Sequence, residues 1–472
     1  MRMPCRIALV LVAFWMATSF SHAADRPNVL VLVSDDQQAD TIRALGNEHI
    51  HTPNLDKLVA RGTACSRAYC MGSMVGAVCV PSRAMFLSGR SLFHVQINLP
   101  SDIPLLPELA GQAGYITHGI GKWHNGPASY ARAFHSGSNI FFGGMSNQFK
   151  VPVFDFQADG KYSRDRQKIG DKPSSELFAD SAVQFLKNHK SDKPFYLYVA
   201  FTSPHDPRTP PAEFARMYDP AKLRLPKSFL SQHPFNNGEM TIRDEKLAPW
   251  PRTPEVIRKH IADYYGMISH LDAQIGRILK ALDDGGQAKN TLVVFYSDHG
   301  LALGRHGLLG KQNLYEHSMR APLIFAGPGI PQGKKSHAFC YLFDVPATIA
   351  ELAGIEMPKN IDGRSMTRAL RGQAPHRQVI FGAYRDVMRS VRDERWKLIR
   401  YPHINKSQLF DLQNDPDELN DLSDKKEHAE TLQRLNALLT AQQRLFNDKQ
   451  ALSSEKPAPL QVELKNDSGK ND

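Results

Sequence analysis

The sequence predicts an α/β fold: a large, mostly parallel sheet flanked by helices, followed by a smaller α+β domain with an antiparallel sheet. Three observations carry this expectation. Short β-branched apolar runs recur at Asn28–Ser34 (NVLVLVS), Phe195–Ala200 (FYLYVA) and Thr291–Ser297 (TLVVFYS), each unbroken as in strands buried on both faces. Helical patterns separate them, which is the order of a parallel sheet with crossover helices. After about residue 370 the strands become shorter, with polar neighbours, and an amphipathic helix closes the region at Ala429–Phe446.

The chain opens differently. Arg2 and Arg6 precede an apolar run, Ile7–Phe20, and Ser21-His22-Ala23 offers a small-residue cleavage site. This is a secretory signal peptide, residues 1–23, so a periplasmic or secreted location follows. Its apolar run is short for a membrane span, and no later stretch is long enough, so no stable membrane anchor is expected. The composition, 42% hydrophobic and 22% charged in 472 residues, is that of a globular protein with a large core. The net charge of +10 falls to +8 without Arg2 and Arg6 and favours anionic partners. Nothing points to nucleic acid, and the oligomeric state is left open. Four cysteines remain after cleavage, Cys65, Cys70, Cys79 and Cys340. That is too few for a disulfide scaffold, and they lack paired zinc-site spacing. A Cys65–Cys70 bridge stays open.

Further elements follow in order. Pro53–Ala60 reads as a short helix closed by Gly62, Leu105–Ala113 as another, and Tyr115–Ile120 as a strand. Residues 125–172 and 207–254 are long excursions, the kind of loop that carries substrate contacts. Ser174–Lys187 is helical. The clearest helix repeats Ile257, Ile261, Tyr264, Ile268, Leu271, Ile275, Ile278 and Leu282 at four-three spacing; alone among α/β elements it is a core helix rather than a coiled coil. Ala321–Ala326 is a fifth strand and Asp344–Ala353 a helix. Gln378–Ala383 and Trp396–Tyr401 are the short strands of a subdomain spanning 371–450, and residues 451–472 read as a disordered polar tail.

Residues 78–90 (VCVPSRAMFLSGR) are organised around Cys79. Pro81 suits a first helical turn, Ala84–Leu87 reads as buried, and Gly89 as a stop. Cys79 then sits at or just before a helix N-terminus, where the dipole favours negative charge, with Arg83 one turn on. Read alone, the stretch fits either a reactive sulfur or a small buried cysteine.

Polar groups converge at the strand ends. Asp35-Asp36, Lys122-x-His124, His205 and Asp298-His299 each follow an apolar run, and in open α/β sheets the site lies beyond the carboxyl ends of the strands. Three aspartates and a histidine meeting there require a cation, and mostly oxygen ligands favour Ca²⁺ or Mg²⁺ over zinc. Lys122, Lys311, Arg83, His124 and His205 fall on the same face. Cations around a metal describe a pocket for a tetrahedral oxyanion, sulfate or phosphate.

These residues resemble the type I, formylglycine-dependent sulfatases. Cys79-Val80-Pro81-Ser82-Arg83 with Ser88-Gly89-Arg90 looks like the family signature, and Gly121-Lys122-Trp123-His124 like its second segment. Asp35-Asp36, Pro204-His205, Ser297-Asp298-His299-Gly300, Gly310-Lys311 and the C-terminal Gln408–Leu412 with Asp415–Glu418 fall in family order. The resemblance covers residues 26–425. It implies an alkaline-phosphatase-like fold, with residues 24–370 as the catalytic domain. It also implies that a formylglycine-generating enzyme converts Cys79 to 3-oxoalanine, whose hydrate is the nucleophile. By the same resemblance Asp35, Asp36, Asp298, His299 and the modified Cys79 bind Ca²⁺. Arg83 and His124 hold and deprotonate the hydrate, Lys122 and Lys311 grip the sulfate, and His205 protonates the leaving alcohol. His299 departs from the asparagine of many members. The implied reaction is release of sulfate from a sulfated carbohydrate. A choline-sulfate-type enzyme, and a phosphomonoester or phosphonate hydrolase, are the alternatives on the same fold.

Overall fold

The computed structural model describes residues 26–97 and 99–464; the expected signal peptide lies outside them. Eight strands form the main sheet: β1 (Asn28–Ser34), β2 (Gly62–Cys65), β4 (Ile116–Lys122), β5 (Ser136–Phe141), β6 (Phe195–Ala200), β7 (Thr291–Ser297), β8 (Leu323–Ala326) and β9 (Lys334–Ser336). Their spatial order is β9-β2-β8-β7-β1-β6-β4-β5, and β8 alone runs against the rest. A second sheet contains β3 (Gly72–Ser73), β10 (Ile380–Tyr384), β11 (Met388–Arg392), β12 (Trp396–Tyr401) and β13 (Lys406–Asp411) in the order β13-β12-β11-β10-β3. It is antiparallel except where β3 joins β10.

Strand periodicity builds two cores. Val29, Val31 and Val33 of β1 enter one cluster with Leu292, Val294 and Tyr296 of β7. Leu30 and Leu32 enter the other with Val293 and Phe295. Successive side chains point to opposite faces, so strands apolar throughout must be covered twice. Helix α1 (Pro53–Arg61), α4 (Ser174–Asn188) and the C-terminal half of α5 (Pro254–Asp284) cover the second face. The N-terminal half of α5, Ile257–Ile268, packs with Leu301, Leu303 and Leu309 in a third cluster. Helix α2 (Cys79–Ser88), α3 (Leu106–Gln112), α6 (Val345–Ala353) and the second sheet cover the first face, joined by α7 (Ala429–Leu445).

Several boundaries differ from expectation, each for a local reason. β4 runs on through Lys122 because Gly121 takes φ +82°; a Cβ there would lie 2.0 Å from the Ala200 carbonyl oxygen. Pro322 splits the expected Ala321–Ala326 strand, so Arg320–Ala321 pairs with Ala68–Tyr69 instead. The 125–172 excursion is partly scaffold: it contributes the edge strand β5. The polar stretch from residue 451 is placed as far as Leu464, with Leu452, Val462 and Leu464 against the first core and Asn236 N–H donating to Leu460 O at 2.8 Å. Residues 465–472 lie outside the described residues. All four cysteines are buried and unbridged, and Cys65 has Cys340 rather than Cys70 as its thiol neighbour. No described helix is long and apolar enough to cross a membrane.

Candidate functional site

The site forms where β1, β4, β6 and β7 end together. β1 delivers Asp35 and Asp36, the latter at φ +66°, a left-handed turn that aspartate tolerates. Tyr264 of α5 donates to the Asp36 carbonyl at 2.6 Å and accepts Gln38 N–H at 2.8 Å, and Gln37 N–H donates to Ser297 Oγ at 2.8 Å. From β7 come Asp298 and His299. Asp298 Oδ1 accepts Asp36 N–H at 3.1 Å, which ties the two strand ends together. Gly89, at φ +70° with its N–H on Met85 O, ends α2 as expected. Its first residue is Cys79.

Every residue expected at the site is brought there. Lys122 Nζ donates to Asp35 Oδ2, and Lys311 Nζ bonds both Asp36 oxygens at 2.9 Å. Arg83 Nε donates to Asp298 Oδ2 at 3.1 Å and its Nη1 to the Lys122 carbonyl at 3.0 Å. The resemblance gives Arg83 a share in holding the hydrate; its guanidinium also lies 3.5 Å from Asp35 Oδ1. Cys79 Sγ meets His124 Nδ1 at 3.3 Å and Lys122 Nζ at 3.9 Å. Burial alone would raise the Cys79 thiol, but Lys122, Lys311 and His299 outweigh it and lower its pKa. Burial, together with Lys122 and Arg83, pushes His124 down to about 2, so it meets Cys79 as a neutral ring.

Two histidines have tautomers fixed by carbonyls. His205 Nδ1 donates to Asp206 O at 2.8 Å, so its Nε2 lone pair faces Lys311 Nζ at 3.0 Å. His299 Nδ1 donates to Gly300 O at 2.9 Å, so its Nε2 faces Asp36 Oδ1 at 3.2 Å and Asp298 Oδ1 at 3.7 Å. Despite burial, those carboxylates raise His299 to about 9. Burial would also raise Asp36, yet His205, Lys311 and His299 hold it below the usual carboxylate range. Asp298 is held down likewise by His299 and Arg83.

The donor set fits a hard divalent cation. A buried lone pair aimed at two carboxylates is unfavourable unless a proton or a metal lies between. Both His299 Nε2 and Asp35 Oδ1 are buried without a hydrogen-bond partner. Ligand atoms of Asp35, Asp36 and Asp298 lie within 4.8 Å of one another, as do those of Cys79, Asp298 and His299.

The mouth above this cluster is a cavity of about 300 Å³. Gly144, Met145, Ile242, Arg243, Asp244 and Gln312 line it beside Cys79, His124, His205 and Lys311. The sequence reading missed these wall residues, which sit in the two excursions without periodicity, except Gln312, which follows Lys311. It also missed Glu245, which accepts Leu309 and Gly310 N–H and so fixes the loop carrying Lys311.

The Sulfatase family model matches residues 27–355, and one described as N-sulphoglucosamine sulphohydrolase, C-terminal, matches residues 304–445. The chain is 26% identical to an N-acetylglucosamine-6-O-sulfatase of Bacteroides thetaiotaomicron over 94% of its own length and 92% of the relative's. It is 27% identical to a choline-sulfatase of Rhizobium meliloti, covering 84% and 83%. Among solved structures, one in complex with its substrate D-glucosamine-2-N,6-O-disulfate superposes with TM-score 0.77 at 23% identity, covering 90% of this chain and 99% of that one. A phosphonate monoester hydrolase of Agrobacterium radiobacter shares the fold at TM-score 0.71 and 22% identity, covering 89% and 96%. The fold is therefore alkaline-phosphatase-like, and with the family model matched over most of the length, the chain belongs to the sulfatase family and is a sulfuric ester hydrolase.

Proposed function

We propose that this sulfatase releases sulfate from a sulfated carbohydrate, using Cys79 converted to 3-oxoalanine and a bound Ca²⁺, with Mg²⁺ the alternative ion. The observation that carries the reading is Cys79 at the start of α2, held against His124 and Lys122, beside Asp35 Oδ1 and His299 Nε2, which are buried without a hydrogen bond. Asp35, Asp36, Asp298 and His299, with residue 79, would hold the cation, which supplies a fixed positive charge for the charge that develops on oxygen. A hydrated aldehyde at residue 79 offers one hydroxyl to attack sulfur and keeps a second to expel the sulfate, a route closed to a thiol.

The chain's own groups divide the remaining work. Lys122 and Lys311 present ammonium protons to sulfate oxygens. Neutral His124, at Nδ1, is placed to take a proton from the group at residue 79. His205, once protonated at Nε2, is placed to deliver that proton to the leaving oxygen. Arg83 compensates Asp298 and holds it in place. Choline sulfate is disfavoured, because quaternary ammonium recognition uses aromatic faces and none is among the residues lining the mouth. The resident partner during maturation is a formylglycine-generating enzyme, and the Met1–Ala23 segment implies export to the periplasm or beyond.

The test is mass spectrometry of the tryptic peptide Ala68–Arg83 from the native host, together with sulfate release from defined sulfated saccharides. An aldehyde at residue 79 and saccharide turnover are expected. A free Cys79 thiol in active enzyme, or aryl phosphate or phosphonate turnover well above aryl sulfate, would overturn the reading. A mature N-terminus at Ala24 is expected from the export.

A further inference from the structure

The walls of the mouth differ in charge from its floor. On the floor, three cations face three carboxylates: Lys122 with Asp35, Lys311 with Asp36, and Arg83 with Asp298. A divalent cation there leaves a positive surplus for one sulfate. The wall has no such surplus. Arg243 is its one cation above Lys311, with 43% of the side chain exposed. Its guanidinium is already shared between two carboxylates. It grips Asp206 through both Nη atoms and also pairs with Asp244. Arg208, whose charge also reaches Asp206, donates to His260 Nδ1 at 3.0 Å and does not line the mouth. Asp244, which also lies 3.9 Å from Lys311 Nζ, is the wall's one anion, and the remaining wall groups are uncharged. Gln312 Nε2 is engaged by Asp244 Oδ2 at 2.9 Å, while Ile242, Met145 and Ala77 are apolar. A volume of about 300 Å³ is at the small end of ligand pockets, room for one sugar ring rather than a stretch of polymer.

We propose that this wall selects a terminal, singly sulfated sugar whose other groups are uncharged, and discriminates against a second sulfate or a carboxylate beside the reacting ester. The inference rests on the proposed action on sulfated carbohydrate. Arg243 and Asp244 are its specificity-determining pair. They offer a donor and an acceptor side by side for hydroxyls and amides, and the apolar wall meets the C–H face of the ring. A second anion would find Arg243 neutralised and Asp244 repelling it.

Steady-state sulfate release from the mature enzyme tests this with a monosulfated N-acetylhexosamine, its N,O-disulfated counterpart and 4-nitrophenyl sulfate. The neutral sugar should exceed the disulfated one in kcat/KM by about tenfold or more. Asp244→Asn should narrow that ratio and Arg243→Met should widen it, each by several-fold. A merely structural role would lower both sugars together. Equal or better turnover of the disulfated sugar, or a ratio unmoved in whichever variant folds, would overturn the inference while 4-nitrophenyl sulfate turnover leaves the sulfatase activity standing. No sulfate release from any of the three would overturn the activity reading and this inference with it.

Discussion

Two of the clusters of buried charge among the described residues differ in what lies beside them. Beneath the second sheet, Glu316 takes Tyr69 OH at 2.6 Å, Arg392 at 2.8 Å and Lys397 at 3.0 Å. Glu418 takes the same Lys397 at 2.8 Å and the Glu316 N–H at 2.8 Å. Two acids meet two bases; Glu418 Oε1 accepts no hydrogen bond but has Lys397 Nζ at 2.8 Å, and none of these four residues lines the cavity at the site. At the ends of β1 and β7 the pairing is as dense, and Asp35 Oδ1 and His299 Nε2 have no hydrogen-bond partner, but a cavity opens above. Burial and perturbed ionisation are common to both. What separates the site from the joint is the open space beside it, lined by Cys79, His124, His205 and Lys311.

The largest effect that sharpens this contrast is Cys79→Ala. Turnover should fall by about 10⁴-fold or more, as for loss of a nucleophile, with melting temperature nearly unchanged. Undiminished sulfate release would refute the assignment. Chelation with excess EDTA comes next. It should cost most of the activity and lower the melting temperature, with Ca²⁺ restoring both; a protein indifferent to chelation in activity and melting would contradict the cation site. Glu316→Gln tests the first cluster. It leaves Arg392 and Lys397 short of charge and should destabilise by about 3–5 kcal/mol in urea unfolding, while kcat of the folded fraction is unchanged. Gly121→Ala reaches the site through the backbone. The clash with Ala200 and the strain of φ +82° should cost about 1–3 kcal/mol and lower kcat by displacing Lys122.

Asp344 supplies the smallest effect and a pH dependence. Burial would raise its carboxyl, but Arg377 outweighs this and holds it at about 2 against an ordinary 3.8. A depressed carboxylate contributes stability above its unfolded pKa and loses it as pH falls through the folded value. Asp344→Asn should therefore cost about 2 kcal/mol at neutral pH, and the difference should shrink below about pH 4 and be mostly lost by about pH 2. A constant gap from pH 7 to 2 would rule out ionisation as its source.

How far these features are legible in the sequence depends on how local their cause is. β1, β6 and β7 are readable because burial on both faces demands unbroken apolar runs, and Asp35, Asp36, Asp298 and His299 follow because their strands end there. β11 is not readable: Met388–Arg392 carries two arginines, buried only because Asp448 and Glu316 lie opposite. β5 opens Ser-Gly-Ser-Asn and belongs to the sheet through β4. The pairing of Lys122 with Asp35 and Lys311 with Asp36, and the turning of Arg83 toward Asp298, are set by side chains 87, 275 and 215 residues apart. Arg243 and Asp244 lie in a proline-rich excursion where no period marks them.

The two-residue strand β3 has a consequence in time. Gly72–Ser73 is completed by Ala383–Tyr384, which leaves the ribosome about 300 residues later. At ~5–20 residues per second that is roughly 15–60 s of synthesis. For about the first 225 of these residues the neighbouring Cys79 segment also lacks Asp298, the partner of Arg83, so the contacts that bury it are incomplete. The modification proposed for Cys79 would have its opportunity then. A chain stopped before residue 290 should accept the aldehyde at residue 79, and the finished fold should refuse it.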